Sequence, residues 1–228
     1  MIAATVCFKP QFSERGEAIP RLPKNVVDGL YRRGTEPLAR CLARYRWLTP
    51  DRVSFAGFLA GGVAAPLCIL TQPLWVAGVL FALGDFLDYL DGDLARSQGR
   101  ASREGAIFDA TLDRYTDFFV IGALTYLTAV ILDRYPDLLI GDFSFLTSEA
   151  ALVLGLAALL GATLTPYVRA KTEAEGKKSP ATIGSRGVRN LILVFGLLAS
   201  QPVWTLVAIA VVANLGAIHR LGHGWRRE

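Results

Sequence analysis

The stretch DYLDGDLARSQGRASREGAIFDATLD, from Asp88 to Asp113, separates two strongly apolar runs. LWVAGVLFALG (74–84) precedes it and FFVIGALTYLTAVIL (118–132) follows closely. Each run is the apolar part of a longer helical stretch, 74–97 and 103–132, with the length of a bilayer span. Carboxylates placed at the ends of such spans are costly to bury and usually serve a function.

The rest of the 228-residue chain supports a membrane reading. Hydrophobic residues make up 52% of it, and mean hydropathy is +0.37. The apolar residues fall in blocks, with helical spans expected over 52–71, 74–97, 103–132, 148–173, 185–200 and 202–221. The fold class expected is an all-α integral membrane protein with six transmembrane helices. Residues 1–24 read as an irregular segment broken by Pro10, Pro20 and Pro23. Residues 25–47 read as a basic amphipathic helix lying on the membrane surface, with Val26, Val27, Leu30, Tyr31, Leu38, Leu42 and Tyr45 on its apolar side and a break or kink at Pro37. Residues 48–228 form the six-helix domain. Thr49 and Pro50 in LTPD suit an N-cap and a first helical position. Pro166 is expected to kink the fourth span.

The net charge of +4 does not signal nucleic acid, because the basic residues sit in short segments between spans. Ten Lys and Arg precede or include Arg52; Arg134 stands alone among the connections on the opposite side. Both termini and the acid-bearing ends of the spans are therefore expected in the cytoplasm. Trp47, Trp75, Trp204 and Trp225 fall at span ends, as an aromatic belt requires. Cys7, Cys41 and Cys68 show neither disulfide nor zinc spacing. MIAATVCFKP lacks a basic n-region and a small-residue cleavage site, so no secretory signal is expected there.

Asp88 and Asp91 share a face of the second span, and Asp109 and Asp113 share a face of the third. An antiparallel hairpin brings the pairs together. Two carboxylates ~6 Å apart repel by about 3 kcal/mol at an effective dielectric near 20. Either some of the acids are protonated or cations neutralise them. All-oxygen ligation favours a hard divalent ion, and two such ions would balance four charges. Paired metals bridged by carboxylates suit displacement at phosphorus. Gly92, Ala95 and Gly105 permit close approach of a ligand or a neighbouring helix, and Arg96 suits a phosphate or an acid. Asp85 and Asp117 extend the two acidic rows inward. Asp93 and Glu104 are expected to face water. A cation transporter, the rival from another class, would carry acids near mid-bilayer in broken helices. No repeat of that kind is evident, and these acids cluster at one face.

Asp88, Asp91, Gly92, Ala95, Arg96, Gly105, Asp109 and Asp113 follow the pattern D-x2-D-G-x2-A-R-x8-G-x3-D-x3-D without departure. This resembles the signature of the CDP-alcohol phosphotransferase (CDP-alcohol phosphatidyltransferase) family. The resemblance implies six spans, a homodimer, and a cavity open to the cytoplasm. It implies metal-dependent attack of an acceptor hydroxyl on a CDP-linked donor, with release of CMP, as in phospholipid biosynthesis. It implies a site for Mg2+ or Mn2+, two ions, at Asp88, Asp91, Asp109 and Asp113, with Asp113 as general base. It also implies donor binding by Asp88, Gly92, Ala95, Arg96, Gly105 and Asp109.

A basic group follows, made of Tyr167, Arg169, Lys171, Arg186 and Arg189. It is expected to converge on an acceptor phosphate, although topology alone would also account for such cations. Arg169 and Lys171 resemble, with residue types exchanged, the basic pair of the family's phosphatidylinositol-phosphate synthases. Arg189 resembles their span-five arginine. GSRGVR (184–189) departs from that branch and is closer to one that includes di-inositol-phosphate phosphate synthases. The favoured substrates are CDP-diacylglycerol or a related CDP-lipid and inositol phosphate or a similar phosphorylated polyol. The alternative donor is soluble CDP-inositol.

Overall fold

The computed structural model describes residues 26–71, 73–134, 147–177 and 179–225. The expected irregular segment 1–24, Cys7, Lys178, most of the 133–147 connection and the last arginines lie outside these. Within them the chain is helical, and no strand is present. Helix α1 spans Val26–Leu42, and α2 (Pro50–Gly57), a π-helical segment (Phe58–Ala64) and α3 (Ala65–Thr71) form a continuous rod. Then follow α4 (Leu74–Ser97), α5 (Arg103–Arg134), α6 (Ser148–Ala174), α7 (Arg186–Leu198) and α8 (Pro202–Trp225).

These helices match the expected positions closely. Three of the helical rods, Pro50–Thr71, Ser148–Ala174 and Pro202–Trp225, are long and apolar enough to cross a bilayer. α4 and α5 have the length, but acids interrupt their apolar character. α7 has 13 residues, about 20 Å of helix, shorter than the ~30 Å hydrocarbon core.

α4 is central and packs against α1, the α2–α3 rod and α7. Glycines set the closest approach. A methyl group on Gly84 would lie 2.7 Å from Gly61 Cα and 2.8 Å from the Gly57 carbonyl oxygen. The two backbones therefore touch. Ile69, Phe81, Leu124, Leu193, Leu197 and Ile209 fill the core beneath. Thr165 Oγ1 of α6 donates to the Ala213 carbonyl, and Asn214 of α8 returns a bond to the Ala157 carbonyl.

α6 runs through Pro166 without a break. A proline leaves the carbonyl four residues earlier without its helical donor. That carbonyl belongs to Ala162, and Arg114 of α5 donates to it at 2.9 Å. α1 likewise runs through Pro37, so the expected break there does not occur. α1 ends at Leu42, not at Trp47, and a turn carries the chain to Pro50. Its buried face is Thr35 and Ala39, packed on α4, while Leu38 is exposed. Thr49 holds the N-cap position of α2 but makes no side-chain cap bond; Pro50 is the first helical residue. All four tryptophans lie at or beside helix ends and are more than half exposed. Cys41 and Cys68 are free thiols.

Candidate active site

The α4–α5 connection builds itself from local chemistry. Gly99 takes φ +65°, where a side chain would be strained. Its N–H donates to the Arg96 carbonyl, and the Arg100 N–H reaches back to the Ala95 carbonyl. This is the double bond of a Schellman stop. Three residues on, Ser102 Oγ accepts from the Gly105 N–H and starts α5. The connection thus turns the chain so that carboxylates of the two acidic rows meet.

Asp88, Asp91 and Asp109 each bring a carboxylate oxygen within 4.8 Å of the others. Ser54 hydrogen-bonds Asp91, and Asp88 and Asp109 share a hydrogen bond. Asp91 Oδ2 is buried without a protein partner. Asp113, the fourth expected ligand, is engaged differently. Arg186, the first residue of α7, donates to Asp113 at 2.7 Å and grips both oxygens of Asp88 at 2.5 and 3.0 Å. One guanidinium thus links the acids of two helices.

Asp88, Asp109 and Asp113 open into a cleft. The α2–π rod contributes Ser54, Phe58 and Gly61 to its wall. Asp85 and Asp117 form its inner level. The Asp117 carboxylate pairs with Arg114 at 2.9 Å and with Arg189 at 3.1 Å. Arg189 is 2% exposed and also donates to the Gly184 carbonyl. Asp85 accepts from the Asn190 amide of α7 and from the Tyr31 hydroxyl of α1. Burial and the adjacent Asp85 carboxylate raise the Tyr31 phenol above its ordinary range.

On the expected donor side, Gly92 and Gly105 make no tight helix contact. A methyl on Gly92 would meet only the Arg96 guanidinium, at 3.6 Å, and one on Gly105 would meet Ser102 Oγ at 3.3 Å. Ala95 and Arg96 are partly exposed beside them. Asp93 does not face water. It is 5% exposed, accepts from Thr35 of α1 at 2.5 Å, and pairs with Arg96. Docking of α1 causes this burial, and helical periodicity within α4 gives no sign of it. Glu104 is exposed as expected.

The basic group does not converge as expected. Tyr167 is 64% exposed, Arg169 pairs with Glu173, and Lys171 pairs with Glu175 on the surface of α6. Arg186 is drawn instead to Asp88 and Asp113, and Arg189 to Asp117, because these carboxylates need counter-charge. Arg220 of α8 stands outside that expected group. It is buried, donates to the Thr165 carbonyl, and keeps an unpartnered Nε. Arg169 and Arg189 lie close enough to act on its charge.

The carboxylate set suits a hard divalent ion: three converging oxygens, no nitrogen or sulfur donor, and a buried oxygen left open. Comparison with known proteins agrees. A CDP-alcohol phosphatidyltransferase family model matches residues 47–218. A phosphatidylinositol phosphate synthase of Mycolicibacterium smegmatis is 30% identical over 81% of this chain and 82% of its own. A bifunctional IPC transferase and DIPP synthase of Rubrobacter xylanophilus is 33% identical over 76% of this chain, which spans 36% of that longer relative. Crystal structures of Mycobacterium tuberculosis phosphatidylinositol phosphate synthase also superpose. The form with CDP-DAG bound has a TM-score of 0.68 at 27% identity, covering 85% of this chain and 94% of that one. The form with manganese and citrate has a TM-score of 0.67 at 26% identity, covering 84% and 88%. The eight-residue signature, the facing acidic helices and the family match lead to one conclusion: the chain belongs to the CDP-alcohol phosphatidyltransferase family.

Proposed function

We propose that this transferase moves a phosphatidyl-type group from a CDP-lipid, CDP-diacylglycerol or a close relative, to a hydroxyl of inositol phosphate or a similar phosphorylated polyol. The observation that carries the proposal is the convergence of three carboxylates within 4.8 Å of one another beside the arginines of α7, Arg186 on Asp88 and the buried Arg189 on Asp117. The first suits the donor's pyrophosphate through a divalent ion. The second suits an anionic acceptor. The relative from Mycolicibacterium smegmatis carries this activity in its name.

Members of the family depend on a divalent metal. Asp88, Asp91 and Asp109 would hold it, with Asp113 loosely shared; Mg2+ or Mn2+, two ions, fits the charge. Bound there, the metal stabilises charge that builds on the phosphoryl oxygens and on departing CMP. The protein's own groups do the rest. Gly92, Ala95 and Gly105 leave room for the nucleotide, with Arg96 steadied by Asp93. Arg186 fixes the orientation of Asp113. The Asp113 carboxylate takes the proton of the acceptor hydroxyl as its oxygen bonds to phosphorus and the bond to CMP breaks. The proton then passes to water. Arg189 and Arg220, with Arg169 nearby, receive the acceptor's phosphate; Tyr167 and Lys171 stand at the entrance.

This reading includes six membrane crossings, with α4, α5 and the short α7 completing the three apolar rods. It places α1 at the interface and both termini with the site on the cytoplasmic side. It also takes the active form to be a homodimer.

Purified full-length protein in nanodiscs would be given CDP-diacylglycerol, Mn2+ and inositol phosphate, glycerol phosphate or serine. Release of CMP with a new lipid-extractable product from inositol phosphate is expected. No release with that acceptor refutes the reading. The relative from Rubrobacter xylanophilus supports a second reading, in which CDP-inositol is the donor. That reaction gives a water-soluble product, so phase partition separates the two.

A further inference from the structure

The cleft has an inner level below its carboxylate cluster. Asp85 precedes Asp88 by three residues on α4, one turn further from the α4–α5 connection. Asn190 donates to Asp85 Oδ1, and the Tyr31 hydroxyl bonds the same carboxyl. The other oxygen, Oδ2, is buried without a hydrogen-bond partner. The residue is 4% exposed and lines the cleft with Thr116, Asp117 and Asn190. Asp117 is different, because two arginines occupy its carboxylate. Buried polar atoms in folded proteins are paired almost without exception, since an unpaired one forfeits its hydration. An open acceptor oxygen in a substrate cleft is a place for a donor that arrives with the substrate.

Position along α4 indicates which substrate brings it. Gly92, Ala95 and Arg96 lie seven to eleven residues toward the connection, about 10–16 Å from Asp85 along the helix. Apart from Asp88, which Arg186 and the carboxylate cluster engage, the nucleotide side is therefore remote. Asn190, which holds Asp85, is adjacent in sequence to Arg189, which reaches Asp117 on the same inner level. The acceptor side is therefore near. A carboxyl oxygen accepts from a hydroxyl and disfavours the phosphate or carboxylate end of a ligand.

We infer that Asp85 Oδ2 receives a hydroxyl of the acceptor other than the one that attacks phosphorus, so that Asp85 determines selection of a ring polyol phosphate over shorter acceptors. Asn190 and Tyr31 are positioning residues that fix its rotamer. The inference rests on the acceptor reading given above and adds the residue that enforces it.

The test is Asp85→Asn in the full chain, in nanodiscs, with Mn2+ binding followed by electron paramagnetic resonance alongside steady-state kinetics. The KM for inositol phosphate is expected to rise about 10- to 100-fold, the worth of one hydrogen bond to a charged group. The KM for the CDP-donor, the KM for glycerol phosphate and Mn2+ affinity are expected to stay within roughly twofold. Tyr31→Phe should shift the KM for inositol phosphate in the same direction by a smaller factor, and it guards against misfolding of the first variant. An unchanged KM for inositol phosphate means that Oδ2 holds ordered water only, and overturns the inference. A parallel rise in donor KM, or weakened Mn2+ binding, assigns Asp85 to the metal site and overturns it too. If the wild type uses another acceptor, the acceptor reading fails by itself; if it uses CDP-inositol as donor, only the donor reading fails. The same split between acceptor KM and donor KM, measured on the substrates used, then decides the role of Asp85.

Discussion

Replacing Arg186 with Met should tighten divalent-metal binding while slowing transfer. Arg186 contacts Asp88 at 2.5 and 3.0 Å and Asp113 at 2.7 Å. With charge centres about 4 Å apart, each pairing is worth roughly 4 kcal/mol at an effective dielectric near 20. A cation entering among Asp88, Asp91 and Asp109 must compete with that guanidinium or repel it. Hydration of the displaced arginine returns most of the gross energy, since its side chain is 29% exposed. If a third of one pairing remains, about 1.4 kcal/mol, the Mn2+ dissociation constant falls at least tenfold in the variant. Electron paramagnetic resonance titration of free Mn2+ against purified protein reads this directly. Arg186→Lys keeps the charge and should stay near the wild type. CMP release should drop in Arg186→Met, because Asp113 loses the group that orients it. Mn2+ affinity that is unchanged or weaker in Arg186→Met would refute the reasoning.

Other expectations follow from burial and packing. Asp117→Asn leaves Arg189 buried beside a neutral partner, so unfolding in detergent should become easier by about 3–5 kcal/mol, measured by denaturant titration. Gly84→Ala drives a methyl into the backbone of the α2–π rod and should cost about 1–3 kcal/mol or more in the same assay. Gly92→Val meets only a flexible arginine, so stability should hold within about 1 kcal/mol while donor KM rises in CMP-release kinetics. Asp109→Asn removes one of three converging oxygens and should lower Mn2+ affinity and CMP release by more than about tenfold each.

The sequence made the acidic site legible because its spacing is helical. Residues three and four apart on adjoining helices must share faces, and Asp88, Asp91 and Asp109 do meet. Fates decided by distant elements were hidden. Asp93 looks solvent-facing until α1, 58 residues earlier, offers Thr35. Arg186 looks like a partner for Arg169 until α7 docks and Asp88, 98 residues away, claims it. The burial of Arg220 depends on its contact with Thr165 of α6, 55 residues away, which no spacing along α8 discloses. The apolar stretch 185–200 forms a helix of 13 residues, with Ser185 and Ala199 at its caps.

The π-helical stretch Phe58–Ala64 carries a consequence of its own. A wider turn accommodates an additional residue without lengthening the rod proportionately. Upstream of it, Ser54 is aimed at the cleft; downstream, Ala65 and Ile69 are aimed at the core. Removing one residue from this stretch would restore ordinary winding and leave the two halves of the rod facing nearly as they do now; removing a second would swivel one half against the other by about 100°. Either the cleft or the core would then lose its lining. The stretch should therefore tolerate the loss of one residue far better than the loss of two.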